Sequence, residues 1–297
     1  MTEPLLGAIE AGGTKFICAV GTPSGRLIDE TRIPTRTPSE TISDILSFFL
    51  ARSQKVAALG IGSFGPIDIR TGSPTYGHIT STPKLAWRHF DIVGAVGSAL
   101  NVPIGFDTDV NAALLAEAKW GSAKGYQTAL YITVGTGIGG GALTEGSLLH
   151  GLLNPEMGHI RVPHDREDDP FPGSCPYHGD CLEGLASGVA MEARWGIDPS
   201  ALPTGHPAYR LEAEYLSLAC VNWICTLSPE RIILAGGVML QAHVLPLIRD
   251  RTRLLLNGYV EAPQIQERLE DYIVPPGLGH RAGVLGALIL AARAAGL

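Results

Sequence analysis

The sequence has no run of basic residues. Its 22 Lys+Arg stand against 29 Asp+Glu for a net charge of −7, so the cationic stripe that binds nucleic acid by releasing counterions is missing. Cysteine is scarce and odd in number: Cys18, Cys175, Cys181, Cys220 and Cys225 do not make a disulfide framework and fit a reducing cytoplasm. No basic segment opens the chain, because Met1-Thr2-Glu3-Pro4 leads almost at once into a glycine-rich motif, so no secretory leader is expected. The longest charge-free apolar stretches, such as Ala282 to Ala292, are too short for a bilayer that needs about 20 residues. A Walker loop, G-x-x-x-x-G-K-[ST], is also absent. These absences predict a cytoplasmic protein with neither membrane nor nucleic-acid partner. An anionic ligand would have to be held locally, by backbone amides or a metal.

What is present is an ordinary globular composition, 45% hydrophobic and 17% charged, in a chain long enough for two domains. Leu5 to Ile9 reads as a strand, broken by Glu10-Ala11-Gly12-Gly13-Thr14-Lys15, with further strands at Phe16 to Val20 and Arg26 to Ile33. A helix follows over Thr37 to Arg52, then strands at Val56 to Ile61 and Val102 to Phe106, and a helix over Val110 to Trp120. The opening pattern then returns. Thr128 to Val134 is a strand, Gly135 to Gly141 breaks it, and Ala142-Leu143 leads through the turn Thr144-Glu145-Gly146. Beyond it come a helix over Tyr209 to Leu227, a strand at Arg231 to Leu234 and a terminal helix over Ala282 to Ala295. The repeated strand, glycine turn, strand predicts two similar α/β domains, 1–120 and 121–281, with 282–297 packing back on the first.

Three strands run into glycine clusters, at Gly12-Gly13, Gly135-Thr136-Gly137 and Gly236-Gly237. Such a junction is most often only a tight turn, but glycine also lets backbone N–H groups close on an anion, usually phosphate. Gly135, Gly137 and Gly140 satisfy G-x-G-x-x-G, yet a dinucleotide fingerprint should open a helix and here a hairpin follows. A nucleoside triphosphate held by paired hairpin turns fits better.

Asp107-Thr108-Asp109 lies where a strand gives way to a helix, and helix capping explains such a triplet as well as chemistry does. His159, Cys175, His178 and Cys181 follow the spacing His-x15-Cys-x2-His-x2-Cys. Two thiolates and two imidazoles suit a closed, tetrahedral structural zinc site, in a loop with little else to order it. His164 competes as a ligand, whereas His150, His78, His89 and His280 read as ordinary histidines and Cys18, Cys220 and Cys225 as small buried residues.

Together, Glu10 to Lys15, Gly135 to Gly137 and Ala235-Gly236-Gly237 resemble the phosphate-1, phosphate-2 and adenosine motifs of the sugar kinase/Hsp70/actin superfamily. Glu156-Met157-Gly158-His159 with the Cys/His cluster resembles, more narrowly, the ROK family of repressors and sugar kinases. The resemblance implies an α/β fold of two ribonuclease-H-like (actin-like ATPase) domains with a cleft between them, binding MgATP and a hexose, and a homodimer. It implies that Gly12, Gly13, Thr14 and Lys15, with Gly135, Thr136 and Gly137, grip the phosphates of ATP, and that Gly236, Gly237 and Val238 lie beside the adenosine. Glu10 stands where many relatives have Asp and would belong to the Mg²⁺ shell.

By the same resemblance Asp109 is the base that accepts the sugar hydroxyl's proton, and its helix N-terminus predicts an ionised, weak base. Ser63, Phe64, Gly65, Thr108, Asp109, Glu156, His159 and Glu183 would contact the sugar. Zinc would tie the Glu156–His159 segment to Glu183, away from the nucleotide motifs. Family repressors carry an N-terminal helix-turn-helix, for which the early phosphate motif leaves no room. Thr108 replaces the usual Asn, and the cluster reads Cys-Pro-Tyr-His-Gly-Asp-Cys rather than a three-cysteine pattern. Both variants resemble the fructose-phosphorylating branch, with glucose, mannose or N-acetylmannosamine kinase as the alternative.

Overall fold

The computed structural model describes residues 3–297. Its strands are β1 (Leu6–Ala11), β2 (Lys15–Gly21), β3 (Leu27–Pro34), β4 (Ala58–Ser63), β5 (His78–Ile79), β6 (Phe90–Asp91), β7 (Ile104–Thr108), β8 (Ala129–Val134), β9 (Ile138–Thr144), β10 (Ser147–Leu148), β11 (Arg231–Ala235) and β12 (Ile273–Val274). Two five-stranded sheets are ordered β3-β2-β1-β4-β7 and β10-β9-β8-β11-β12. In both, a central strand pairs antiparallel with the hairpin strand after it and parallel with a later strand on its other side. The pseudo-repeat expected from the sequence is therefore present as one topology used twice.

The chain divides into two compact units. One runs through Gly121 and takes in Leu148–Pro155 and His280–Leu297; the other comprises Ser122–Ser147 and Glu156–Gly279. In the first lie α1 (Pro38–Leu50), α2 (Ile92–Leu100), α3 (Asp109–Trp120) and, from the far end of the chain, α10 (Ala282–Ala294). In the second lie α4 (Leu182–Ala186), α5 (Gly188–Trp195), α6 (Ala208–Leu227), α7 (Val244–Leu256), α8 (Pro263–Gln266) and α9 (Leu269–Tyr272).

Helix α1 starts as its sequence dictates, with Thr37 and Glu40 forming a reciprocal capping box and Pro38 in the first turn. Helix α10 is apolar all round because it is buried from Ala282 to Ala292. It lies directly on sheet backbone: a Cβ on Gly60 of β4 would stand 1.8 Å from the Ala287 carbonyl oxygen, and one on Gly105 of β7 would stand 2.3 Å from that of Leu290. On its other side Gly286 meets α3, where a Cβ would come within 1.7 Å of the Ala112 carbonyl oxygen. Gly286→Ala is thus expected to force the two helices apart and lose about 1–3 kcal/mol, measured as a lower urea midpoint. Among the described residues no helix is long and apolar enough to cross a membrane.

Two strands run further than the sequence pattern indicates. The β4 and β7 ladder continues through Gly62↔Asp107 and Ser63↔Thr108, so parallel pairing carries polar residues to the strand ends. Residues Gly139, Gly140 and Gly141, expected to interrupt the chain, are strand residues of β9 paired with β8. Met157 fills the space over Gly140 that a side chain would occupy. Helices α2, α4, α5, α7, α8 and α9 have no counterpart among the elements expected from the sequence.

Candidate active site

In the first unit the register sets the candidate positions side by side. Glu10 pairs with Gly62, Ala11 with Ser63, and Ser63 with Thr108, so β1, β4 and β7 end level at their carboxyl ends, where ligands bind open α/β sheets. The β1–β2 turn is closed by the Gly12 N–H donating to the Lys15 carbonyl at 3.0 Å. Thr35 pins it from behind: its hydroxyl donates to the Gly12 carbonyl at 2.8 Å and its N–H donates to that of Thr14 at 3.0 Å. Thr14 and Lys15 remain exposed at the tip.

Two acids face this region. Asp109 opens α3, and its Oδ1 accepts the Val110 N–H at 2.9 Å. Burial pushes its carboxyl up to about 6, against the pull of backbone N–H groups. The sequence expectation of a helix end keeping the acid in its ordinary range is therefore overridden by desolvation. At neutral pH the carboxylate still predominates, but as a stronger base than expected. Glu10 is pushed up to about 7, first by burial and then by the Asp109 charge, with Lys15 and the Val284 N–H opposing. Gly283 leaves room for it, since a Cβ there would lie 2.4 Å from the Glu10 carboxyl carbon. Glu10 Oε2 is buried and has no hydrogen-bond partner.

Other predicted residues are already engaged. Ser63 is fully buried and its hydroxyl donates to the Phe64 carbonyl at 2.9 Å. The half-buried Phe64 ring packs edge-on against Trp87 at 5.9 Å, and Gly65 leads into a cis peptide at Pro66. Thr108 is 8% exposed and its hydroxyl oxygen caps α3 by accepting the Asn111 N–H at 3.1 Å.

In the second unit β8 and β11 end beside each other as parallel neighbours. Gly135 closes a turn by donating its N–H to the Gly137 carbonyl at 2.9 Å, and its own carbonyl accepts the Gly188 N–H at 2.7 Å. Gly236, with φ +97°, passes against β8, where a Cβ would lie 2.3 Å from the Val134 carbonyl oxygen; only glycine satisfies both conditions. Gly237 is exposed at the start of the turn carrying buried Val238. The N-terminus of α5, capped by Ser187, joins these turns through Gly188.

His159, Cys175, His178 and Cys181 also come together here, with one donor atom from each all within 4.8 Å of one another. The His159 Nδ1 to Cys181 Sγ, His178 Nδ1 to Cys175 Sγ and His159 Nδ1 to Cys175 Sγ separations are 3.5, 3.6 and 3.8 Å. Ligand bonds of roughly 2.0–2.3 Å in a tetrahedron imply edges of about 3.6 Å, so the donor set fits zinc. His164 is elsewhere, its Nε2 donating to the Asp169 carbonyl at 2.9 Å and its Nδ1 facing Asp180 at 3.4 Å. The other ring nitrogen of His159, Nε2, faces Glu183 Oε1 at 3.9 Å. Glu183 Oε2 accepts the Ile138 N–H at 2.9 Å, in the space that a Cβ on Gly137 would fill. The Cys/His cluster and the Gly135–Gly137 turn are thus neighbours with one carboxylate between them, because β9 returns from that turn against α4. Glu156 precedes the His159 turn and is exposed.

Residues 6–294 match the ROK family model. The chain belongs to the ROK family. Among its relatives are the fructokinases of Pediococcus pentosaceus, 44% identical with 97% of both chains covered, and of Lactococcus lactis subsp. cremoris, 42% identical with 96% of both covered. A solved ROK family glucokinase from Streptomyces griseus, in complex with glucose and AMPPNP, superposes with a TM-score of 0.78 at 26% identity, covering 97% of this chain and 99% of that one. The fold is thus that of ROK sugar kinases, two actin-like sheet domains.

One polar network of this ROK chain was not legible as such. The buried Asp107 carboxylate accepts from the Thr108 N–H and Asn111 Nδ2 on one oxygen, at 2.8 and 2.7 Å, and from His150 Nε2 on the other at 3.0 Å. Asn111 also donates to Asn154 Oδ1 at 3.2 Å. The hydrogen bond to Asp107 raises the His150 pKa, so His150 is a partner of the acid triplet and not a free surface histidine. The available clue was that an acid at the end of a buried strand needs donors.

Proposed function

We propose that this chain is an ATP-dependent hexose kinase that phosphorylates the 6-hydroxyl of D-fructose. The observation that carries the kinase reading is Asp109, a carboxylate at the start of α3 with a raised pKa, set with Glu10 beside the exposed tip of the β1–β2 turn. The sugar oxygen attacks the γ-phosphorus of ATP, the bond to the bridging oxygen breaks, ADP leaves, and the hydroxyl proton passes to Asp109. Positioning and charge neutralisation dominate such a transfer. The amides of Gly12 to Lys15 and Gly135 to Gly137 suit the phosphates, and Gly236, Gly237 and Val238 suit the adenosine side. Glu10 would hold Mg²⁺ with its unpartnered Oε2, and the ion would supply positive charge between the phosphates.

Glu156, His159 and Glu183 are the sugar-selecting residues in this reading, with Gly65 contributing backbone and Thr108 its single O–H. His159, Cys175, His178 and Cys181 would hold a structural zinc that fixes the His159 ring, whose free nitrogen faces Glu183. Five free cysteines suit a cytoplasmic location, and a homodimer is the assembly that goes with the family reading. Fructose is favoured because relatives named for fructose phosphorylation are 39–49% identical, against 27–28% for glucokinases. Thr108 offers one short hydroxyl in place of an amide that both donates and accepts, and one changed polar contact moves discrimination by orders of magnitude. In a coupled ADP-release assay over a hexose panel, kcat/KM for fructose is expected to exceed that for glucose at least tenfold. Equal or greater efficiency with glucose, mannose or N-acetylmannosamine would replace fructose with that sugar.

A further inference from the structure

Lys84 lies on the β1–β2 turn. The position a Cβ would take on Gly13 is 2.9 Å from Lys84 Cε and 3.6 Å from Nζ, so the missing side chain of Gly13 is the space that the lysine stem occupies. The backbone there is held at both its N–H and its carbonyl. The Lys84 N–H donates to Thr82 Oγ1 at 3.3 Å, and its carbonyl accepts the Trp87 N–H at 2.8 Å. Trp87 is 2% exposed, stacks on Phe16 with ring centroids 5.2 Å apart, and donates its Nε1–H to the Arg36 carbonyl at 2.9 Å. Phe16 immediately follows Lys15, so the strand that forms the turn also anchors the residue that anchors Lys84.

The ammonium itself is unspent. Among the described residues it has neither an ion pair nor a hydrogen bond, although the chain carries an excess of acids. Fixing a half-buried lysine without a partner forfeits side-chain entropy, which an anionic ligand on the turn would offset. Glu10 and Asp109 interact electrostatically beside the same strand end, so an anion bound at the turn needs positive charge from elsewhere.

We propose that Lys84 holds the transferred phosphoryl group against the β1–β2 turn, contacting the γ-phosphate of ATP and the same group as it passes to the sugar. The inference rests on the kinase reading. In a loose transition state charge spreads over the equatorial phosphoryl oxygens, and a pre-placed ammonium stabilises it there without reorganisation. The bonds made and broken are those of the transfer already described; Lys84 supplies charge and exchanges no proton.

The test compares Lys84→Met, which keeps the stem and removes the charge, with Lys84→Arg, which keeps the charge. Lys84→Met is expected to lower kcat ~10²–10³-fold with the sugar KM and the melting temperature little changed. Lys84→Arg is expected to recover at least a tenth of the wild-type kcat. Calorimetric titration should show AMPPNP binding weakened at least tenfold in Lys84→Met and ADP binding unchanged within twofold. A kcat within threefold of wild type, equal weakening of both nucleotides, or a loss confined to the sugar KM would overturn the assignment. Absence of wild-type turnover with every hexose would instead overturn the kinase reading, and the paired nucleotide titrations still decide the role of Lys84.

Discussion

Asp109→Asn is expected to lower kcat by ~10²–10⁴-fold, the usual worth of a positioned general base, while AMPPNP binding stays near wild type. The amide keeps the shape and can still accept the Val110 N–H at the start of α3, but it cannot take the sugar proton. Stability provides a second, opposite readout. Burial raises the Asp109 pKa above its ordinary value, so folding favours the protonated acid. Stability from this group is present in full below the unfolded pKa and is lost as pH rises through about 6. At pH 7 the ionised carboxylate therefore costs stability, and Asp109→Asn should melt no lower than wild type. The wild-type rate at saturating ATP should fall as pH drops through about 6, because the base is then protonated. A variant that retains most of the turnover would remove Asp109 from the base role, and one that melts early would trace the loss to folding.

Removing the metal from the Cys/His cluster is the second large effect. Protein purified without chelator is expected to contain one zinc per chain by elemental analysis, and stripping it should lower the melting temperature by ~10 °C or more. That magnitude follows because a structural zinc contributes several kcal/mol and each kcal/mol moves a unit of this size by about 2–4 °C. Sugar and nucleotide binding should weaken together. His159 faces Glu183 with its second nitrogen at 3.9 Å, and Glu183 accepts the Ile138 N–H beside Gly137, so loosening the cluster is expected to loosen the Gly135–Gly137 turn as well. Cys181→Ser should reproduce the stripped protein. Metal-free protein with full activity and unchanged melting would exclude zinc from this site.

Much of this arrangement is written in short stretches of sequence. Gly12, Gly137 and Gly236 mark strand ends where a Cβ would come within 2.7 Å of a neighbour, and the glycine that permits so close a turn is legible from its local position. The Cys/His cluster is legible because Cys175, His178 and Cys181 lie within one loop, and only His159 is brought from outside it. Helix α1 announces itself through Thr37, Pro38 and Glu40. The α10 stretch was visible as an apolar terminal helix expected to pack back on the first domain, where it lies.

Everything that depends on partners distant in the chain had to wait for the fold. The carboxyl of Asp109 is stronger as a base than its helix end predicts, because desolvation is a property of what surrounds it. Ser63 sits where the motif places it, yet its side chain is fully buried and spent on a hydrogen bond to the Phe64 carbonyl. Asp107 is bound by His150 across 43 residues of sequence, Glu183 reaches Ile138 across 45, and Lys84 rests on a glycine whose significance no linear spacing reveals. Residue type and spacing determine which chemistry a segment can do. Which donors face which acids is decided by the pairing of sheets and helices that the chain brings back from far away.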